Sequence, residues 1–562
     1  MSKISHTIQL LTTLKDFFIM KYILKFYACT ACLLLWGSVA FAQQPTDKGV
    51  ISGSLQSDFQ YYQADSAINA TLVEGADRMA SNHYLNLFYR KGDFSAGLRY
   101  EAYLPPLLGY PGEFKGQGIA NRFITYRKDG LEVTAGNFYE QFGSGTILRA
   151  QENRPTGIDN SIDGVLLKYN FDDMAQIKAL TGKQRDGFNK GEGTIRAADA
   201  EIYLNKFLFP LSEISITLGG SYVSVYEPYT GTLGYISPQS DAYAGRLAIG
   251  NGGFNIDAEY VYKKPSPMLS NDYINHDGSA LLLNASYSHN GLGINVQMKR
   301  VENMDFRSSR DAPLNSLMVN FIPITTKQHT YRLLTLYPYV TQVFGEAGLQ
   351  ADLIYTFKRG SALGGKYGTT ISLNYAVANS LDQRPISGDA GYESDFWKLG
   401  NRKYFQDINV ELSKKWSRKL KTTFSYVYLE YDKDQIEGVI GSGVVKSHTV
   451  IADVLIKPRR KTSVRFELQH LYTRQDFGSW AMGLIEIGFS NFLVFASDEI
   501  NYNGIGKGIP LHYYNGGVAY AKGANRFSLS YGRQRAGLIC VGGVCRLVPA
   551  SSGLTLSVTS SF

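Results

Sequence analysis

From Gly49 to Phe562 the chain repeats one unit: an alternating apolar/polar run of roughly ten residues, a tight turn, a second such run and a long polar connection. In the first run Ile51, Leu55, Phe59 and Tyr61 share one face, and Ser52, Ser54, Gln56, Asp58 and Gln60 share the other. Tyr84–Arg90 and Phe94–Leu104 flank Lys91-Gly92-Asp93, while Ile119–Arg127 and Leu131–Phe138 flank Lys128-Asp129-Gly130. Asp-Gly and Asn-Gly pairs between alternating runs are hairpin signals. They recur at Gly250-Asn251-Gly252-Gly253 and His289-Asn290-Gly291. The last run places Leu554, Leu556, Val558 and Phe562 on one face and Thr555, Ser557, Thr559 and Ser561 on the other. Tight turns and long connections alternate in strict order, with thirteen strands before the segment 302–345 and eleven after it. This predicts an all-β, antiparallel, up-and-down barrel of about 24 strands. A further hairpin around Tyr331–Leu336 would make 26 and keep the count even.

Composition narrows the class. Tyr (39), Phe (30) and Gly (57) are abundant, and charged residues are 19 % of the chain, below the roughly 25 % of soluble domains. Past the N-terminus no apolar run reaches the about 20 residues of a membrane helix. Alternation hides the hydrophobicity of a barrel wall, and polar, charged inner faces suit a water-filled lumen better than a packed soluble core.

Residues 1–42 are expected to be removed. Met20-Lys21-Tyr22-Ile23-Leu24-Lys25 is a basic n-region, Phe26 to Val39 an apolar core, and Ala40-Phe41-Ala42 a cleavage site, which makes Gln43 the mature start and Met20 the true initiator. Residues 43–562 then form the barrel. The net charge of +8 falls to 8 − 3 = +5 without Lys3, Lys15, Lys21, Lys25 and Asp16. Basic residues are dispersed among acidic ones, so no nucleic-acid partner is expected. Cys540 and Cys545, flanking a Gly-Gly loop in an exported chain, are expected to form a disulfide that shapes a loop tip.

Several runs carry a resemblance. Gly136-Asn137-Phe138-Tyr139-Glu140-Gln141-Phe142-Gly143-Ser144-Gly145, Gly157-Ile158-Asp159-Asn160-Ser161, Thr326-Lys327-Gln328-His329-Thr330-Tyr331-Arg332 and Gly364-Gly365-Lys366-Tyr367-Gly368 resemble an uncharacterised outer-membrane β-barrel family of the Bacteroidota. The resemblance implies a barrel in the outer membrane and no particular activity. The final strand also resembles the closing strand of such barrels. That likeness implies that Leu554, Leu556, Val558 and Phe562 are the signal read by the barrel-insertion machinery. An even strand count places both termini in the periplasm.

Two long connections are the candidate functional segments. Segment 139–163 combines aromatics and glycines with Glu140, Arg149, Glu152, Arg154 and Asp159, and folded inward it makes Glu140, Arg149, Glu152 and Arg154 a candidate pore constriction. Its alternative is a rim bulge with structurally paired charges. Segment 302–345 is too long to be structureless and should plug, cap or add a hairpin. Its basic residues Arg307, Arg310, Lys327, His329 and Arg332 read as a solvated loop rather than an anion-attracting mouth. There is no G-x-S-x-G and no H-E-x-x-H, and His448 and His470 lie on separate strands, so neither an enzyme, a metal site nor a cofactor is expected. Only Gln43–Lys48 separate the cleavage site from the first strand, which argues against an active transporter with an N-terminal plug.

The expected function is a porin-like passive channel for small polar solutes in the outer membrane, in contact with its lipid. The alternative is a scaffold barrel with a blocked lumen that supports other outer-membrane proteins. A lumen filled with Tyr and Phe favours the scaffold; a charged constriction favours the channel.

Overall fold

The computed structural model describes residues 49–71, 78–172, 174–205, 210, 212–503, 509–541 and 544–562; the expected signal segment 1–42 and the Gly542-Gly543 tip lie outside them. Twenty-four strands form one antiparallel sheet, running from Val50–Gln63 to Ser551–Ser561. The sheet closes because the first strand pairs with the last, from Ser54 opposite Ser561 to Gln63 opposite Ser552. Phe562 completes the seam. Its backbone exchanges hydrogen bonds of 2.8 and 3.0 Å with Gly53, and a Cβ at Gly53 would stand 2.6 Å from the Phe562 ring. A closed barrel leaves no backbone edge unpaired, which is the condition for crossing hydrocarbon with strands. Among the described residues no helix is long and apolar enough to do so.

The turns follow from local chemistry. Asp129-Gly130 (φ 49° and 81°) and Asn290-Gly291 (φ 42° and 90°) take two consecutive left-handed residues, as the tight hairpin turn requires and as Asp, Asn and Gly tolerate. The alternation of short and long connections is not strict, however. At the long-loop end Ala175–Asp186 and Asn189–Tyr203 are joined by Gly187-Phe188 alone, and at the turn end 358–368 is extended. The short connection carries Phe188 against Tyr103, within a cluster formed by Tyr84, Tyr103 and Phe114. Residues 332–336 form a short 3-10 helix and add no strands, so the count stays at 24.

The outer face is apolar all round, with Leu218, Ile256, Leu373, Phe424, Leu468 and Val494 exposed. Aromatic pairs Phe94–Tyr126, Tyr169–Phe171, Tyr355–Phe357 and Phe489–Phe492 gird the turn end. Continuous apolar area flanked by aromatics is what a lipid-facing wall presents. His448 and His470 belong to this outer face, beside Tyr426 and Tyr502. Leu554, Leu556 and Phe562 are also exposed there, whereas Ser557 faces inward and donates to Asp58.

Candidate functional site

The lumen is not empty. Segments 139–161 and 303–344 leave the long-loop end and fold back into it, with two large apolar clusters and a smaller one of Leu334, Val427 and Ile451. One of the large clusters packs Phe142, Ile147, Leu148, Phe306, Val319 and Ile322 on inward-facing wall residues. The other packs Leu333, Tyr337 and Tyr339 against Phe405, Tyr431 and Trp480.

The shorter segment enters as a two-strand ribbon, Gln141–Phe142 against Leu148–Arg149. Its tip needs glycine for two reasons. Gly143 has φ 53°, and a Cβ there would sit 2.5 Å from Arg246 Cδ. The tip is then held by Glu259, whose carboxylate accepts from Ser144 N at 2.9 Å.

Charged groups anchor the base of this segment. Arg99 pairs with Glu101 at 2.6 Å, Glu152 at 2.8 Å and Asp159. Arg185 pairs with Glu101 at 2.6 Å and Asp159 at 2.5 Å, and Arg154 pairs with Glu152 at 2.5 Å and lies over the Tyr84 ring. The carboxylates of Glu101, Glu152 and Asp159 converge closely enough to hold a cation. Three guanidiniums already balance the three acids, so the cluster acts as an anchor between segment and wall. Arg99, Glu101 and Arg185 were not singled out from the sequence; the signal for them is a charge at an inward-facing position near the long-loop end of a strand.

The four residues considered for a constriction do not share one site. Glu152 and Arg154 pair within this anchor. Glu140 is held by Lys168 at 2.6 Å and Lys178 at 3.1 Å, and Arg149 stacks on Phe321 at 4.2 Å while its N–H donates to the Val319 carbonyl. Burial alone would raise the Glu140 pKa, but the two ammonium groups outweigh it and hold it below the usual carboxylate range. The Glu140 contribution to stability is therefore complete above the unfolded carboxylate pKa and disappears as pH falls through the lower folded value. We expect the unfolding temperature of the wild type to fall more steeply than that of Glu140→Gln between about pH 5 and pH 3. Parallel profiles in a heat-modifiability series would deny the pair that role.

The longer segment bridges the barrel. It begins as a hairpin in which Val319 N donates to Phe306 O at 2.8 Å, with Ser308 reaching Gln184 on the wall. It then crosses beside the ribbon, where Phe321 N donates to Gly145 O at 3.0 Å, and continues toward the opposite wall. There Lys327 donates to Asn409 at 2.6 Å, His329 lies 2.5 Å from Asp407, and Arg332 pairs with Glu499 at 2.5 Å. Arg307 and Arg310 pair with Asp305 and Glu227. The basic run is thus a series of fastenings rather than a solvated loop: Arg307 ties the segment to itself, and Arg310, Lys327, His329 and Arg332 find partners far away in sequence. Lys299 and Glu346, on the strands that enter and leave the segment, fasten its middle. Both are fully buried and 2.9 Å apart. Lys299 also donates to the Pro323 carbonyl at 2.9 Å and to Thr341 at 2.8 Å. Glu346 accepts from Tyr339 OH and Gln342 N, both at 2.6 Å.

Cavities remain in the lumen beside these segments, and two of them share a residue. One, of about 350 Å³, lies toward the long-loop end between residues 324–339 and the base of the Cys540–Cys545 hairpin. The other, of about 420 Å³, lies toward the turn end beside Arg246, Asp257 and Glu259. Ile324 lines both. Thr326 belongs to the first lining and Pro323 and Thr325 to the second, so Pro323–Thr326 forms a septum where the two linings meet. Their linings differ in sign. Lys327, His329, Arg332 and Arg535 line the first with no Asp or Glu, whereas Glu201, Asp257 and Glu259 line the second with a single Arg246. Cys540 and Cys545 are disulfide-bonded in a hairpin roofing the first cavity. This roof is tied to both inward segments, since Asn315 donates to Cys545 O and Arg546 donates to Pro155 O.

Residues 20–562 match the Family of unknown function (DUF6029). The chain belongs to DUF6029. No curated protein matches it. Similar solved structures are barrels of low identity. The P pilus usher (PapC) translocation pore shares 8 % identity at TM-score 0.45, covering 91 % of this chain and 99 % of its own. The ferric enterobactin receptor PfeA of Pseudomonas aeruginosa shares 12 % at 0.42, covering 92 % and 81 %. The outer membrane protein opdK of Pseudomonas aeruginosa shares 10 % at 0.34, covering 78 % and 97 %. This DUF6029 chain is a closed 24-strand antiparallel β-barrel with its own loops in the lumen.

Proposed function

We propose that this protein is a porin-like outer-membrane barrel for small polar solutes, closed at rest by its own inward segments and opened at Pro323–Thr326. The observation that carries the reading is the pair of cavities meeting at Ile324. A permanently sealed lumen needs no vestibule on either side of Pro323–Thr326. In this reading both termini are periplasmic, the apolar wall contacts outer-membrane lipid, and Leu554, Leu556, Val558 and Phe562 address the chain to the barrel-insertion machinery. The source in Bacteroidota belongs to the same proposal, as does the absence of enzymatic chemistry.

The second reading is a scaffold whose lumen never opens, supporting other outer-membrane proteins. The aromatic packing of Tyr337 and Tyr339 on Phe405 and Tyr431 favours it. Planar-bilayer recording separates the two. For a closed channel, the refolded wild type gives brief, infrequent steps, and Ile324→Gly raises the time spent open roughly tenfold by thinning the septum. Silence from folded wild type and folded Ile324→Gly alike would sink the channel and leave the scaffold.

A further inference from the structure

We infer that the cavity at the long-loop end is a binding site for a small organic anion with an apolar body. The inference deepens the channel reading by naming a class of solute, but binding itself does not depend on passage.

Electrostatics gives the sign. Every charged side chain lining the cavity is basic or is a histidine. The nearby carboxylates are already engaged: Asp407 lies against His329, and Glu499 is shared between Arg332 at 2.5 Å and Arg535 at 3.4 Å. Among the described residues the partner of Lys327 is neutral, Asn409. Lys327, Arg332 and Arg535 thus face a cavity with one shared carboxylate among them.

Arg535 indicates that the site is built rather than incidental. Its side chain is 14 % exposed. Its Nη2 reaches neutral oxygens, the Arg332 carbonyl at 3.4 Å and Thr335 Oγ1 at 3.2 Å, and its Nε faces Glu499 at a long 3.4 Å, outside hydrogen-bond geometry among the described residues. Burial works against its charge, and Glu499 only partly offsets that cost. A second anion would complete the guanidinium's hydrogen bonding in a site largely shielded from water. The rest of the lining supplies the apolar part: Leu334, Phe405 and Leu429 on one side, with Leu538 and Ile539 of the hairpin above. A volume of about 350 Å³ lies within the range of small-molecule sites. Carboxylates and phosphate monoesters share the required chemistry, since both are acceptors that a guanidinium grips with two N–H groups.

Isothermal titration of the full, detergent-folded chain tests this with 4-phenylbutyrate, phenyl phosphate and the neutral 4-phenylbutanol. Saturable binding is expected for at least one anion, the better one identifying which head group the site takes, and the alcohol should bind at least tenfold more weakly. Lys327→Gln and Arg535→Gln should each weaken the anion roughly tenfold. Arg474→Gln, an exposed residue outside the cavity lining that donates to Tyr472, should leave it unchanged, with heat-modifiable migration confirming that each variant is folded. No saturable binding of either anion, equal binding of the alcohol, or equal losses in Arg474→Gln would overturn the assignment. A failed titration leaves the bilayer result standing, and a silent bilayer leaves the titration standing.

Discussion

Replacing Lys299 with methionine is expected to destabilise the barrel by about 3–5 kcal/mol, the cost of leaving a buried carboxylate without its counter-charge. The loss is large because one ammonium joins three parts of the chain. It neutralises Glu346, holds the Pro323 carbonyl at the edge of the septum, and holds Thr341 on the returning arm. Without it, Glu346 keeps two donors, Tyr339 OH and Gln342 N, but no cation. Burial and the adjacent Glu346 carboxylate keep the Tyr339 hydroxyl well above its usual pKa, so it remains a donor and cannot substitute as a charge partner. The double variant Lys299→Met/Glu346→Leu removes both charges and should recover much of the loss, since an apolar pair of similar volume often replaces a buried ion pair at little cost. Urea unfolding of barrels refolded into vesicles measures this. A loss below about 1 kcal/mol for Lys299→Met would mean that the pair behaves like an exposed one.

The wall was legible in the sequence because each strand reports its own geometry. Alternation in Phe254–Lys263, or in Gly278–His289 and Leu292–Glu302 around Asn290-Gly291, needs no knowledge of other strands. The lumen was less legible because its contacts join residues distant in sequence. Segment 139–163 was legible as a long connection rich in charge, yet Glu152 and Arg154 find their setting through Arg99, Glu101 and Arg185, which only the closed sheet brings together. The same holds for Lys327 with Asn409 and Arg332 with Glu499. A basic run read alone resembles a solvated loop; the inward-facing Asp407 and Glu499 show otherwise. The exception to the turn pattern at Gly187-Phe188 has a similar origin, since the aromatic cluster receiving Phe188 is built mainly from Tyr84, Tyr103 and Phe114.

The second large effect follows from how the bridging segment is attached. Met304 N donates to Val343 O at 2.9 Å, so the chain enters and leaves the bridge at adjacent points. Residues 305–342 can therefore be replaced by a short Gly-Ser link without moving the flanking strands, although the excision exposes apolar wall such as Val223 and Val301 to the lumen. A barrel of this strand number leaves a wide aqueous lumen unless it is plugged. Excision also removes the wall of both cavities at once, which a point change at Ile324 does not.

Single-channel conductance in planar bilayers, comparing the wild type with the 305–342 excision, tests most directly whether the protein's own loops close its lumen. Brief, small steps from the wild type and steady steps roughly an order of magnitude larger from the excised barrel are the predicted result. Large steady steps from the wild type, or no gain in a folded excision variant, would contradict it.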